Sequence, residues 1–164
     1  MLRETKAREC MTSPVISVTT NSSLPAAKKI MLENGIRHLP VIKNNQLAGI
    51  LSSGDIRRAS PSDATSLSIW ELNYLWDQIQ VESAMSSKVI TVHPDTPILE
   101  AAHLLIEHRF GCLPVVDEAG QVEGILTEVD ILRFMIETIE AKELPYADVV
   151  DESWSTPSPW TFMM

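Results

Sequence analysis

Two carboxylates in this chain occupy matching places in a duplicated stretch. The first copy reads Gly49-Ile50-Leu51-Ser52-Ser53-Gly54-Asp55 and the second Gly124-Ile125-Leu126-Thr127-Glu128-Val129-Asp130. Each has a glycine, two branched aliphatics, a hydroxyl residue and, three positions later, an aspartate. Branched aliphatics favour a strand. A hydroxyl followed at the third position by an acid is a helix-start signature. Each copy therefore predicts a strand, a hydroxyl and a helix. Such a junction aims free backbone N–H groups and the positive end of a helix at one spot, where an anion such as phosphate can sit. The same residues also suit a capping box, which satisfies orphan N–H groups and contributes about 1 kcal/mol.

The surroundings are duplicated too. Met11-Thr12 returns as Met85-Ser86, and Val15-Ile16-Ser17-Val18 as Val89-Ile90-Thr91-Val92, both 74 positions on. Leu39-Pro40-Val41-Ile42 returns as Leu113-Pro114-Val115-Val116. Gly120 then adds one turn residue, so Gly49 matches Gly124 at an offset of 75. Two copies are too few for a solenoid. They fit a pseudo-symmetric pair, each too small for a good core alone.

Each copy must supply the elements that hold its motif. Val15 to Val18 reads as a short β run. Ser22, or its counterpart Thr96, suits a helix N-cap, with Pro25 or Pro97 tolerated in the first turn. Leu24, Ala27, Ile30 and Met31 line one helical face, matched by Ile98, Ala101, Ala102, Leu105 and Ile106. Asn34-Gly35 ends the first helix. Strands from Leu39 and Leu47 flank the polar turn Lys43 to Gln46, a hairpin pattern. Its twin turn runs from Asp117 to Gln121. A helix starting near Asp55 closes a β-α-β-β-α unit.

Composition bounds the function. The 164 residues suit one compact domain with a real core. A net charge of −9 opposes broad nucleic-acid binding. No apolar run approaches membrane-spanning length, and the first residues lack a signal-peptide hydrophobic region. Cys10 and Cys112 form no disulfide framework, so a cytoplasmic protein with reduced thiols is expected.

In order, spacing and duplication, these motifs resemble the CBS domain, named after cystathionine beta-synthase. Two copies in tandem resemble a CBS pair, or Bateman module. The resemblance covers about residues 8–59 and 82–136. It implies an α/β fold of two pseudo-symmetric repeats packed sheet to sheet, with clefts between them that bind adenosine-containing ligands. By that resemblance Asp55 and Asp130 hold ribose hydroxyls, and Ser52 and Thr127 contact phosphate. Apolar residues and backbone near Val15, Ile16, Val89, Ile90, Pro40 and Pro114 enclose the base. A carboxylate with two acceptor oxygens suits adjacent ribose hydroxyls.

Other residues divide between functional and structural readings. Arg37-His38 matches Gly111-Cys112, so the copies diverge there; Arg37 and His38 either reach phosphate and make the clefts unequal or lie in a solvated loop. Arg58 and Arg133 match each other, facing phosphate or coating a helix. His93, His103 and His108 lack metal-ligand spacing and read as surface histidines. Cys112 reads as a buried small apolar residue. No nucleophile elbow, P-loop or paired catalytic acids occur.

The division expected is a first repeat over 1–59, a linker over 60–81, a second repeat over 82–142 and an acidic, Pro/Ser-containing tail over 143–164. All four tryptophans lie in the linker and tail. Ser68 and Glu71 form a capping box, with Leu67 and Leu72 as a staple. Ile69, Leu72, Trp76 and Ile79 give the resulting helix an apolar stripe. The final helix carries Ile131, Leu132, Met135, Ile136 and Ile139, a stripe suited to a homodimer face. The reading is a stand-alone regulatory module, with no enzyme activity, no metal and no cofactor. It binds AMP, ADP, ATP or another adenosyl compound and signals to a separate effector protein. One rival is an interaction scaffold with plugged clefts. The other, a nucleotide-acting enzyme, needs a base or metal site.

Overall fold

The computed structural model describes residues 4–60 and 68–141. Every strand belongs to one compact unit, Met1–Ile131; a second unit begins at Leu132.

In the first repeat, β1 (Val18–Thr19), β2 (His38–Lys43) and β3 (Gln46–Ser52) form a sheet in that order. β1 runs parallel to β2, and β2 antiparallel to β3. The hairpin turns at Asn44 and Asn45, both at positive φ, which asparagine tolerates in tight two-residue turns. The second repeat pairs β4 (Cys112–Val116) with β5 (Val122–Thr127). Its turn uses Gly120 at φ 78°.

The first β run is shorter than its sequence suggests. In the first copy only Val18 and Thr19 pair; in the second, Val92 alone bridges to Val115. The reason lies in the upstream valines. Val15 and Val89 pack against Ile50, Cys112 and Ile125. That cluster joins β3, β4 and β5, so the two sheets meet face to face.

Helices α2 (Leu24–Asn34) and α6 (Ile98–His108) bury most of the predicted stripes, Leu24, Ala27 and Met31 in one and Ile98, Ala101 and Leu105 in the other, but Ile106 is 74% exposed, outside the face that packs on the core. Ser23, not Ser22, caps α2, accepting from the Ala26 N–H at 3.4 Å. Ser22 closes a turn with Thr19 instead. Thr96 likewise accepts from the His93 N–H, and Pro97 takes the N-cap of α6. Leu39, Leu51, Leu113 and Leu126 are fully buried, each contributing about 1.5–3 kcal/mol.

The repeats exchange their leading segments. Helix α1 (Ala7–Cys10) hydrogen-bonds to Pro94 and Thr96, and Ala7 packs in the second repeat's core. Lys6 and Arg8 both pair with Asp95. After α3 (Ser53–Ala59) and the linker helix α4 (Ile69–Gln78), α5 (Val81–Ala84) does the converse. Val81 donates to Ser22 O, Glu82 to Thr20 O, and the Val81 side chain is buried in the first repeat's core. The crossing continues as Ser86 pairs with Ile50, and Thr12 with Ile125.

That crossing explains the repeated glycines. A β-carbon on Gly49 would lie 2.7 Å from Ser86 O, and one on Gly124 2.5 Å from Met11 Sδ and 3.0 Å from Thr12 O.

The Ser68–Glu71 capping box forms as expected. Trp76 of α4 and Ile79, its C-cap, pack against the first core, whereas Trp70 is 85% exposed. Leu67, the Ile69 and Leu72 side chains and residues 142–164 lie outside the described residues. α7 (Glu128–Glu140) begins at the second motif; beyond Ile131 it exposes Leu132, Ile136 and Ile139.

Candidate functional site

Each motif folds into the predicted strand, hydroxyl and helix. At the end of β3, the Ser52 N–H and hydroxyl both donate to Asp55 Oδ2, at 2.7 and 2.6 Å. The Asp55 N–H returns a bond to Ser52 Oγ at 3.2 Å. Thr127 and Asp130 repeat the ring at 2.8, 2.6 and 3.2 Å. Both aspartates are buried. The capping reading is therefore realised in both copies.

The cap engages one carboxylate oxygen of each aspartate, and the second oxygen accepts a further hydrogen bond in each copy. Asp55 Oδ1 accepts from the Arg58 guanidinium, one helical turn on. Asp130 Oδ1 accepts from the Thr12 hydroxyl at 3.1 Å.

Asp55 opens onto a cavity of about 380 Å³ between the two repeats. The first motif contributes Ile50, Ser52, Asp55 and Arg58 to its lining. Val89 and Ile90 add an apolar wall, and His38 and Cys112 also line it. Lys88 and Arg109 complete the lining with Phe110, which stacks on His108 at 5.2 Å. A cavity of this size accommodates a small organic ligand. Three cations, Arg58, Lys88 and Arg109, face it, and its one acidic lining residue is Asp55.

His38 fits because its neighbour is a glycine: a β-carbon on Gly111 would lie 2.7 Å from His38 Cε1. Burial holds the His38 imidazole below its ordinary range; the Arg37 charge acts in the same direction, while Asp55 and Glu128 oppose it. Burial pushes the Cys112 thiol up to about 12. Cys10 rises to about 11 through burial and the Glu9 and Asp130 charges. Neither thiol is a ready nucleophile at neutral pH.

The cavity thus brings together His38, Ser52, Asp55, Arg58, Val89 and Ile90. Arg37 instead lines a separate apolar cavity with Lys28, Met31, Ile56 and Arg57. Pro40 and Pro114 are fully buried in their strands. Val15 is half-buried in the cluster between the sheets, and Ile16 is exposed. Thr127 and Asp130 form the second motif, and Arg133 lies exposed on α7.

Lys88, Arg109 and Phe110 are cavity residues that motif reading passed over. Their signal is the internal alignment: Lys88 stands where the first copy has Pro14, and Arg109 where it has Gly35. Among the described residues no cluster of three or more His, Cys, Asp or Glu is placed to hold a metal ion. No described helix is long and apolar enough to cross a membrane.

The chain is similar to the CBS domain pair of protein MJ0100 in complex with 5′-methylthioadenosine and S-adenosyl-L-methionine. That likeness has a TM-score of 0.67 and 29% identity over 82% of this chain and 98% of the other. It is also similar to CBSX2 in complex with AMP, with a TM-score of 0.69 and 28% identity over 82% and 98% of the two chains. A homoserine O-acetyltransferase from Methanococcoides burtonii is 33% identical over 82% of this chain but only 25% of its own length. The chain spans less than half of the first curated relatives it matches. The CBS domain matches twice, over residues 7–62 and 81–137, and the chain belongs to that family as a tandem pair.

Proposed function

We propose that the chain is a regulatory module that binds an adenosine-containing ligand, AMP, ADP, ATP or a related adenosyl compound, in the cleft around Asp55. Binding is reported to a separate effector protein, and the ligand leaves chemically unchanged. The observation that carries this reading is the cavity itself. It sets a buried carboxylate with two acceptor oxygens beside three cations and an apolar wall. Ribose hydroxyls donate to Asp55, phosphate meets Arg58 and the Ser52 hydroxyl, and the base lies against Val89 and Ile90. The adenosyl ligands of the similar CBS pairs support the ligand class.

The protonated Cys112 thiol argues against nucleophilic chemistry in the cleft. Two free cysteines suit a reducing, cytoplasmic setting. The exposed apolar residues of α7 support assembly as a homodimer. Light scattering tests that point: the mass of two chains at micromolar concentration is expected, and the mass of one chain contradicts it.

Thermal melting tests the function. A ligand bound only to the folded state at a hundredfold excess over Kd adds about 2.7 kcal/mol, several degrees for a chain of this size. A rise with AMP, ADP, ATP or S-adenosylmethionine is expected. No rise with any of them at millimolar concentration favours a second reading, an interaction scaffold with a closed cleft. The specific observation behind that reading is the Arg58 guanidinium seated on Asp55.

A further inference from the structure

We propose that the cleft around Asp55 selects polyphosphate esters over uncharged or cationic adenosyl compounds, and that Arg109 is the residue that determines this. The inference rests on the ligand-binding reading above and narrows it to nucleoside di- and triphosphates.

The first observation is convergence. Arg58 comes from α3, Lys88 from the crossing segment after α5, and Arg109 from the end of α6, and all three line one cavity. The chain as a whole carries a net charge of −9. Three cations around one carboxylate leave an excess of positive charge at this cleft; Arg58, Lys88 and Arg109 are all exposed, so their pull on an anion is screened by salt. Such a site attracts a chain of phosphates and repels a sulfonium.

The second observation is backbone geometry. Arg109 is the C-cap of α6 at φ 54°, ψ 40°, in the left-handed region. The equivalent C-cap of α2 is Gly35 at φ 62°, ψ 28°. The two helices end alike, and the first uses the residue that adopts this conformation without steric cost. The second places an arginine there at a conformational penalty. Strain of this kind concentrates at functional sites. The third observation is asymmetry between copies: the positions matching Lys88 and Arg109 are Pro14 and Gly35. These two cations are therefore peculiar to this cleft and not part of the duplicated framework.

A cation near a helix C-terminus also complements the helix dipole. The variant Arg109→Gly separates the two roles, because it installs the residue of the twin helix. A dipole role predicts a lower melting temperature with unchanged ligand affinity. Phosphate selection predicts a melting temperature equal to or above wild type, with ATP affinity down roughly 10- to 150-fold and adenosine affinity little changed.

The experiment is calorimetric titration of wild type and Arg109→Gly with ATP, adenosine, S-adenosylmethionine, GTP and inorganic tripolyphosphate, at low and high salt. Expected are ATP binding well above adenosine and S-adenosylmethionine, a salt-sensitive preference, and its loss in the variant. Adenosine binding as tightly as ATP overturns the inference while the adenosine reading stands. An equal loss of ATP and adenosine affinity in the variant also overturns it. GTP or tripolyphosphate matching ATP, with both lost in the variant, overturns the adenosine reading and upholds polyphosphate selection. Absence of binding by all five compounds overturns both.

Discussion

The hydroxyl of Thr12 donates to Asp130 Oδ1 at 3.1 Å, joining the N-terminal segment to the start of α7. The other oxygen of the same carboxylate accepts from the Thr127 N–H and hydroxyl. Asp130 therefore caps a helix and fastens the exchanged segment at once, and the second oxygen of Asp55 accepts from Arg58 beside the cavity.

Stability should follow from this double use of Asp130. Thr12→Val removes one hydrogen bond and is expected to cost about 1 kcal/mol. Asp130→Ala removes that bond and the cap together, about 2 kcal/mol. Urea unfolding measures both. A Thr12→Val midpoint equal to wild type would show that the bond adds nothing.

The three close-packed glycines separate by what each one faces. Gly49→Ala drives a methyl against the Ser86 carbonyl and Met85, and Gly124→Ala against Met11 and the Thr12 carbonyl. The Ser86 carbonyl cannot swing aside, so Gly49→Ala should lose about 1–3 kcal/mol; at Gly124 the Met11 side chain must give way and the Thr12 carbonyl stands at 3.0 Å, so the loss should be at the lower end of that range. Gly111→Ala meets the ring of His38, which can rotate. Its cost should be smaller, and its effect should fall on ligand affinity through the displaced imidazole. Thermal melts of the three variants check the order; Gly111→Ala as the least stable would reverse it.

The thiols are expected to be silent in the folded protein. With Cys10 raised to about 11 and Cys112 to about 12, the reactive thiolate is scarce near pH 8. A disulfide reagent should titrate both only after denaturant is added. Rapid native modification of Cys112 would mean that the wall it forms opens readily.

His38 sets a pH dependence whose sign is fixed by its environment. Its folded value lies below the ordinary 6.5, so the unfolded chain takes up the proton first as pH falls. The associated stability is present above 6.5 and is lost as pH drops towards the folded value. The melting temperature should therefore fall between about pH 7.5 and about pH 5.5, and less steeply in His38→Gln. Equal slopes for the two proteins would remove His38 as the cause.

The repeated motif made both caps and both hairpins legible, because local spacing determines which hydroxyl meets which carboxylate. Gly49 and Gly124 were visible as duplicated residues, but their reason was not. Each leaves room for a segment from the other repeat, a contact that no local window contains. The same distance hid the exchange of α1 and α5. The burial of Pro40 and Pro114 within their strands is a packing fact that the sequence does not display. Arg109 escapes motif reading because it joins the cavity lining only through the place where α6 ends. Its charge was nonetheless visible against Gly35 in the internal alignment.

Calorimetric titration of AMP and ATP into wild type and Asp55→Ala, with a melt of each protein, tests the ligand-binding reading most directly. Loss of a carboxylate that accepts ligand hydrogen bonds should weaken binding roughly 10- to 150-fold. Loss of the Asp55 cap should also lower stability by about 1 kcal/mol. Binding at wild-type affinity by an Asp55→Ala protein that melts lower would contradict the assignment and leave Asp55 as a helix cap alone.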